Sequence, residues 1–330
     1  MARQRLVNKL NRLTALLEPI RPDLEQVEHL LNETVKDLEE PLRSMLDQTL
    51  STGKRIRPAL VILIGRMFKT PAPQLYNLAA AVEIVHSATL IHDDVVDKAQ
   101  LRRGRKTLHA VWPISATVLA GDYLLARSVA LIAELNDPRI LKVLAETVGT
   151  ICAGEIRYQF NAKERTHHRE AYYKSIEAKT ASLFAATAEM TCILAHAEEI
   201  YITALRAFGR ELGIAFQIVD DVLDLIGEEI QLGKPPGSDL RQGIITLPIL
   251  YYIEKEKNDD LINAILAGQC EEVSVHAVIK AIRSSGAIED ALAEAQTYAQ
   301  RSQAALRDLP NNEPRRILHR LADYVVERRH

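Results

Sequence analysis

The sequence predicts an all-α protein, on three observations. The 330 residues include 41 Ala and 43 Leu, about a quarter of the chain, and both are strong helix formers. Strand formers are scarce, with only 5 Phe, 1 Trp and 10 Tyr. Between positions 74 and 98, which hold no Gly or Pro, Leu78, Val82, His86, Thr89, Asp93 and Asp97 recur at steps of three or four. That period places them on one helical stripe. With 47% hydrophobic and 26% charged residues, the chain has ample material for a core and is not disordered.

Read in order, the N-terminal MARQRLVNKLNRLTALLEPIRPDLEQ carries charges throughout and lacks the apolar core of a signal peptide. The run PALVILIG at 58–65 reads as a buried helix, far too short to span a bilayer. The stripe of 74–98 begins apolar and ends in carboxylates. A second helical stretch, 169–200, is Ala-rich and carries Lys179 and Thr180 between apolar turns. A third, 201–226, runs through Phe216, Gln217, Asp220, Asp221 and Asp224. Residues 227–248 gather four of the 14 glycines and three of the 13 prolines, so a loop or broken helix follows. The last 80 residues, with patches such as IEKEKNDD, read as short solvated helices around the core. No linker divides the chain, which is expected to be one domain over 1–330.

Net charge −3 and a pI near 6.4 give no global attraction to a polyanion. Aromatic interleaving for base stacking is missing, so no nucleic-acid partner is expected. Cys152, Cys192 and Cys270 are far apart and odd in number, which indicates neither a disulfide framework nor a zinc site. The cytoplasm is the expected compartment, with at most peripheral membrane contact.

The chemistry lies in an internal echo, DDVVD at 93–97 and DDVLD at 220–224. Aspartates four apart on a helix repel, and doing this twice calls for a compensating cation. Carboxylates without His or Cys partners suit a hard cation. Mg²⁺ takes one or two carboxylates, waters and substrate phosphate oxygens. Basic residues stand where a polyphosphate needs them, in GKRIRP at 53–58 and LRRGRK at 101–106, with Lys179 and Lys234 beyond. His86, seven residues before Asp93, lies nearly on the same helix face.

Together GKRIRP, VHSATLIHDDVVD, LRRG, EAKTA, FQIVDDVLDL and GKPPGSDLRQG, in that order over residues 50–250, resemble the trans-polyprenyl diphosphate synthases. Those enzymes join isopentenyl diphosphate to an allylic diphosphate. The resemblance implies the isoprenoid synthase fold, about ten core helices around a deep central cavity, and a homodimer, in some long-chain members with a separate small subunit. It implies that Asp93, Asp94 and Asp97 with Asp220, Asp221 and Asp224 hold three Mg²⁺ ions on the allylic diphosphate. Arg102, Lys179 and Lys234 would grip that diphosphate, and Lys54, Arg57, His86 and Arg103 would bind isopentenyl diphosphate. Thr180 and Gln217 would lie beside the allylic carbon. Thr52 stands where the family often has Gly, and Ile244 where short-chain members usually have Lys.

Each isoprene unit extends about 5 Å, close to one helical turn. In the family an aromatic four or five residues before the first Asp stops growth early. Here those positions are Thr89 and Ala88, with Val85 and Ile84 a turn below. A linear long-chain product of roughly seven to ten units is expected, its floor set by the 119–135 segment. The alternatives are a farnesyl or geranylgeranyl synthase, or the catalytic subunit of a heteromer. A terpene cyclase would replace the second acidic cluster, and a metal phosphohydrolase has no use for two carboxylate triples.

Overall fold

The computed structural model describes residues 12–102, 104–164, 168–227, 236–256, 260–266 and 272–328. They are helical apart from turns and one two-residue hairpin, Leu101–Arg102 (β1) against Arg105–Lys106 (β2). The all-α expectation holds. Two compact units form, each drawing on three stretches of chain. The first comprises Met1–Glu146, Ala186–Arg206 and Leu306–Leu321, the second Thr147–Ala185, Ala207–Ala305 and Ala322–His330.

In the first unit, α1 (Arg21–Lys36), α2 (Leu42–Leu50) and α3 (Ile56–Met67) precede the long α4 (Ala72–Val96) and α5 (Ile114–Ala133). Helix α3 buries every residue except Arg66, as an all-round apolar helix must. It starts at Arg55, whose left-handed backbone (φ 52°) costs a β-carbon-bearing residue about 1–2 kcal/mol. Ion pairs with Glu28 at 2.5 Å and Glu83 at 2.8 Å hold Arg55 there. Helix α4 starts at Pro71 and Pro73, suited to a first turn. It is buried without a break from Leu78 to Val85, with α1, α3 and α5 packed along it.

Helix α5 turns Thr117, Ala120, Gly121, Leu124, Ser128, Leu131 and Ile132 inward. Its other face leaves Ile114, Val118, Leu119 and Val129 exposed. This helix, and not the 58–65 run, is long and apolar enough to cross a membrane by length and composition, although 39% of its apolar window is buried.

The 169–200 stretch, whose residues up to Ala185 belong to the second unit and the rest to the first, departs from one continuous helix. Helix α7 (Arg169–Ile176) enters a π turn at Glu177–Ala181 and then becomes α8 (Ser182–Leu194). Here α6 is Pro138–Glu164, and α9 covers Glu199–Ile226, starting two residues before the expected 201. Helices α10 (Ser238–Arg241), α11 (Leu247–Lys255), α12 (Asp260–Leu266), α13 (Glu272–Ser284), α14 (Ala287–Ala305) and α15 (Glu313–Glu327) complete the described chain.

The expectation that the last 80 residues are merely solvated helices is corrected. Helix α14 buries Ala287, Ala291, Ala295 and Ala299, a stripe of small residues four apart, and packs against α11. Helix α15 buries Leu318, Leu321, Ala322 and Val325.

Candidate active site

Both aspartate clusters sit in the C-terminal turns of their helices. Asp93 and Asp94 lie in the last turn of α4 and Asp97 is its C-cap, its N–H donating to the Asp93 carbonyl at 2.8 Å. Asp220, Asp221 and Asp224 lie in the last two turns of α9, which ends at Ile226. Helix C-termini carry partial negative charge and favour cations. Neither helix has a basic residue in its last turn. In each unit three carboxylates against a helix dipole form a donor set that suits a hard cation, so the residues present fit Mg²⁺. Among the described residues no three potential ligands already converge into a metal cage.

Within the first unit Asp94 is buried, which pushes its carboxyl up, and the Arg102 guanidinium opposes the shift. Arg102 reaches Asp94 because the β1–β2 hairpin follows the helix end directly, and its Nε donates to Asp94 Oδ1 at 2.6 Å. Lys54 is exposed just before α3, and Arg57 is buried in the first turn of α3. His86 is half-buried on α4, two turns below Asp93, and its carbonyl accepts from Thr89 Oγ1 at 2.8 Å. Arg55, the remaining basic residue of GKRIRP, is committed to Glu28 and Glu83 and so is structural.

Within the second unit a hydrogen-bond chain links the EAKTA motif to the second cluster. The π turn carries half-buried Lys179 and buried Thr180, a register change of the kind frequent at functional sites. Lys179 Nζ donates to Glu155 Oε2 at 3.1 Å. Thr180 Oγ1 donates to Gln217 Oε1 at 2.6 Å, and Gln217 Nε2 donates to Asp221 Oδ1 at 2.8 Å. The other Asp221 oxygen accepts from the Tyr172 hydroxyl at 2.6 Å. Burial pushes the Asp221 carboxyl well above the usual carboxylate range and Asp239 adds to the push, while Tyr172 and Gln217 oppose it. Asp224 is tied to the following loop, its Oδ2 accepting from the Asp239 N–H at 3.2 Å. Glycine lets the helices approach. A β-carbon at Gly213 on α9 would lie 2.6 Å from the Ala181 backbone.

The first unit thus brings Asp93, Asp94, Asp97 and Arg102 together, and the second brings Thr180, Gln217, Asp220, Asp221 and Asp224 together with Lys179 nearby. Arg103 and Lys234 lie outside the described residues. The residues that sequence reasoning missed are Tyr172, Glu155, Asp239 and Arg328, whose guanidinium meets Asp220 at 3.0 Å. Asp239 lies in the recognised GKPPGSDLRQG segment and was open to notice. The other three carry no local signal.

A family profile described as Polyprenyl synthetase matches residues 39–282. The chain is 40% identical over 323 residues to heptaprenyl diphosphate synthase component 2 of Geobacillus stearothermophilus, covering 96% of this chain and 99% of that one. It is 34% identical to nonaprenyl diphosphate synthase of Mycobacterium tuberculosis over 94% of this chain and 93% of that protein. Among solved structures, polyprenyl synthase from Caulobacter crescentus, complexed with calcium and isoprenyl diphosphate, superposes with TM-score 0.91. That pair shares 34% identity over 97% of this chain and 98% of the other.

Proposed function

Because the chain belongs to the polyprenyl synthetase family, we propose that it is a trans-prenyltransferase extending an allylic diphosphate with isopentenyl diphosphate into a linear long-chain polyprenyl diphosphate. One observation carries the reading: two carboxylate triples at helix C-termini, each with a buried member and with Arg102 or Lys179 in its own unit. The allylic C–O bond breaks and diphosphate leaves with the electron pair. The isopentenyl double bond attacks the allylic cation to form the new C–C bond, and a proton is lost to the released diphosphate.

Bound at Asp93, Asp94, Asp97, Asp220, Asp221 and Asp224, Mg²⁺ supplies neutralisation of the leaving group's charge, with three ions in this reading. Arg102, Lys179 and Lys234 bind the same diphosphate. Lys54, Arg57, His86 and Arg103 bind isopentenyl diphosphate. Thr180 and Gln217 are locked to each other and to Asp221, so their oxygen dipoles are fixed before the cation forms.

The small side chains of α4 support a long product. Ala88 is fully buried and small, and Thr89 is turned back on its own helix. Neither is an aromatic, and most of the 119–135 segment proposed as the floor lies on α5, which packs beside α4. The exposed apolar face of α5 supports a homodimer, while the relative named component 2 supports a separate partner component as the second reading. Free thiols at Cys152 and Cys192 support the cytoplasm.

Incubation of the purified chain with Mg²⁺, isopentenyl diphosphate and an allylic diphosphate, followed by mass analysis, tests the proposal. Linear products growing in five-carbon steps to roughly seven to ten units are expected. Phosphate release without C–C bond formation would mean a hydrolase, and cyclic hydrocarbons a cyclase.

A further inference from the structure

Arg328 follows the last turn of α15 in a charged segment that reads as solvent-exposed, yet its side chain is only 4% exposed. Its guanidinium is held on every side. Nε donates to the Val325 carbonyl at 3.0 Å, Nη2 donates to the Phe216 carbonyl at 3.0 Å, and the group lies 3.9 Å over the Phe216 ring. The Phe216 ring rests in turn on Phe184, 5.4 Å between centroids. Nη1 is 3.0 Å from Oδ1 of Asp220, a carboxylate that remains 40% exposed. A planar, permanently charged fork fixed by two carbonyls and a ring cannot swing away as a lysine could. Arg328 therefore meets Asp220 at Oδ1, and Oδ2 is the other oxygen of a carboxylate still open to a cation.

That division bears on the choice of cation. Mg²⁺ demands near-ideal octahedral geometry at about 2.1 Å, whereas Ca²⁺ accepts six to eight oxygens and takes carboxylates in one- or two-oxygen fashion. A carboxylate with one oxygen already committed to a guanidinium offers the first kind of ligand and denies the second. We infer that Arg328 is a positioning residue for Asp220, confining it to one-oxygen ligation and so favouring Mg²⁺ over Ca²⁺ in the second aspartate cluster. The inference rests on the reading of Asp220 as a metal ligand. Its geometry lies wholly within the second unit.

The test compares full-length wild type, Arg328→Gln and Arg328→Lys. Each is titrated calorimetrically with Mg²⁺ and separately with Ca²⁺ in the presence of inorganic diphosphate, and melting temperatures report folding. The expected result is a preference for Mg²⁺ over Ca²⁺ that drops by about tenfold in Arg328→Gln, a difference of about 1.4 kcal/mol. Arg328→Lys, which keeps the charge without the fork, should fall between. Should the Gln variant fail to fold, a reduced Mg²⁺ preference in the Lys variant supports the inference in its place. A preference unchanged in every folded variant, or a change confined to KM for isopentenyl diphosphate, overturns the inference. Wild type that binds neither cation with diphosphate overturns the metal reading itself, and this inference with it.

Discussion

A phenol that donates to a buried carboxylate does two things at once. It satisfies an oxygen that has lost water, and it favours the charged form that a metal needs. Tyr172 does this for Asp221 from 49 residues away, through a 2.6 Å hydrogen bond. Tyr172→Phe leaves that oxygen unsatisfied, which costs about 1–3 kcal/mol, and favours the protonated Asp221 that binds Mg²⁺ poorly. We expect a lower melting temperature, a several-fold rise in the Mg²⁺ concentration for half-maximal synthesis, and little change in KM for isopentenyl diphosphate. An unchanged Mg²⁺ dependence would show that the phenol only packs. The aspartates themselves were legible because four-residue spacing is local information. Tyr172 and Arg328 were not, since their roles exist only once α7 and α15 are folded against α9.

At the scale of elements, the two helix ends show how far periodicity reaches. The stripe over 74–98 and the acidic end of α9 follow from spacing alone. The π turn at Glu177–Ala181 does not, because a five-residue register change leaves no mark on an Ala-rich apolar pattern. The alanine stripe of α14 is visible in sequence, but its partner α11 is not, so charge density there is no guide to exposure. Close approach makes two glycines a matched test. Gly213→Ala drives a β-carbon to 2.6 Å from the Ala181 backbone, where no rotamer change can relieve it. The expected cost is about 1–3 kcal/mol, with activity reduced because α9 carries Gln217. In α6, Gly149→Ala meets nothing within 4 Å and should stabilise by about 1 kcal/mol. Thermal denaturation of both variants checks the pair. On α4, Ala88→Phe puts an aromatic five residues before Asp93, and mass analysis should find products several units shorter. An unshortened spectrum would show that growth does not pass this helix face.

For the whole molecule, α5 poses the sharpest question, because its exposed half is as apolar as its buried half. Ile114 is 60% and Leu119 65% exposed, and Val118 and Val129 join them, with Asp122 the charged residue among them. Exposed apolar residues gathered along one helix face are the mark of an association surface. A second copy is the partner we assign to it, since two copies of one helix face can meet across a two-fold axis. Leu119→Glu would place two carboxylates near that axis, each cut off from water and repelling the other. Light scattering should find wild type as a dimer and Leu119→Glu as a monomer. The monomer should keep the circular dichroism of a helical protein, because most of the Leu119 side chain lies outside the core. A wild-type chain that remains monomeric alone, and becomes active only with a separate component, would assign this face to that component instead.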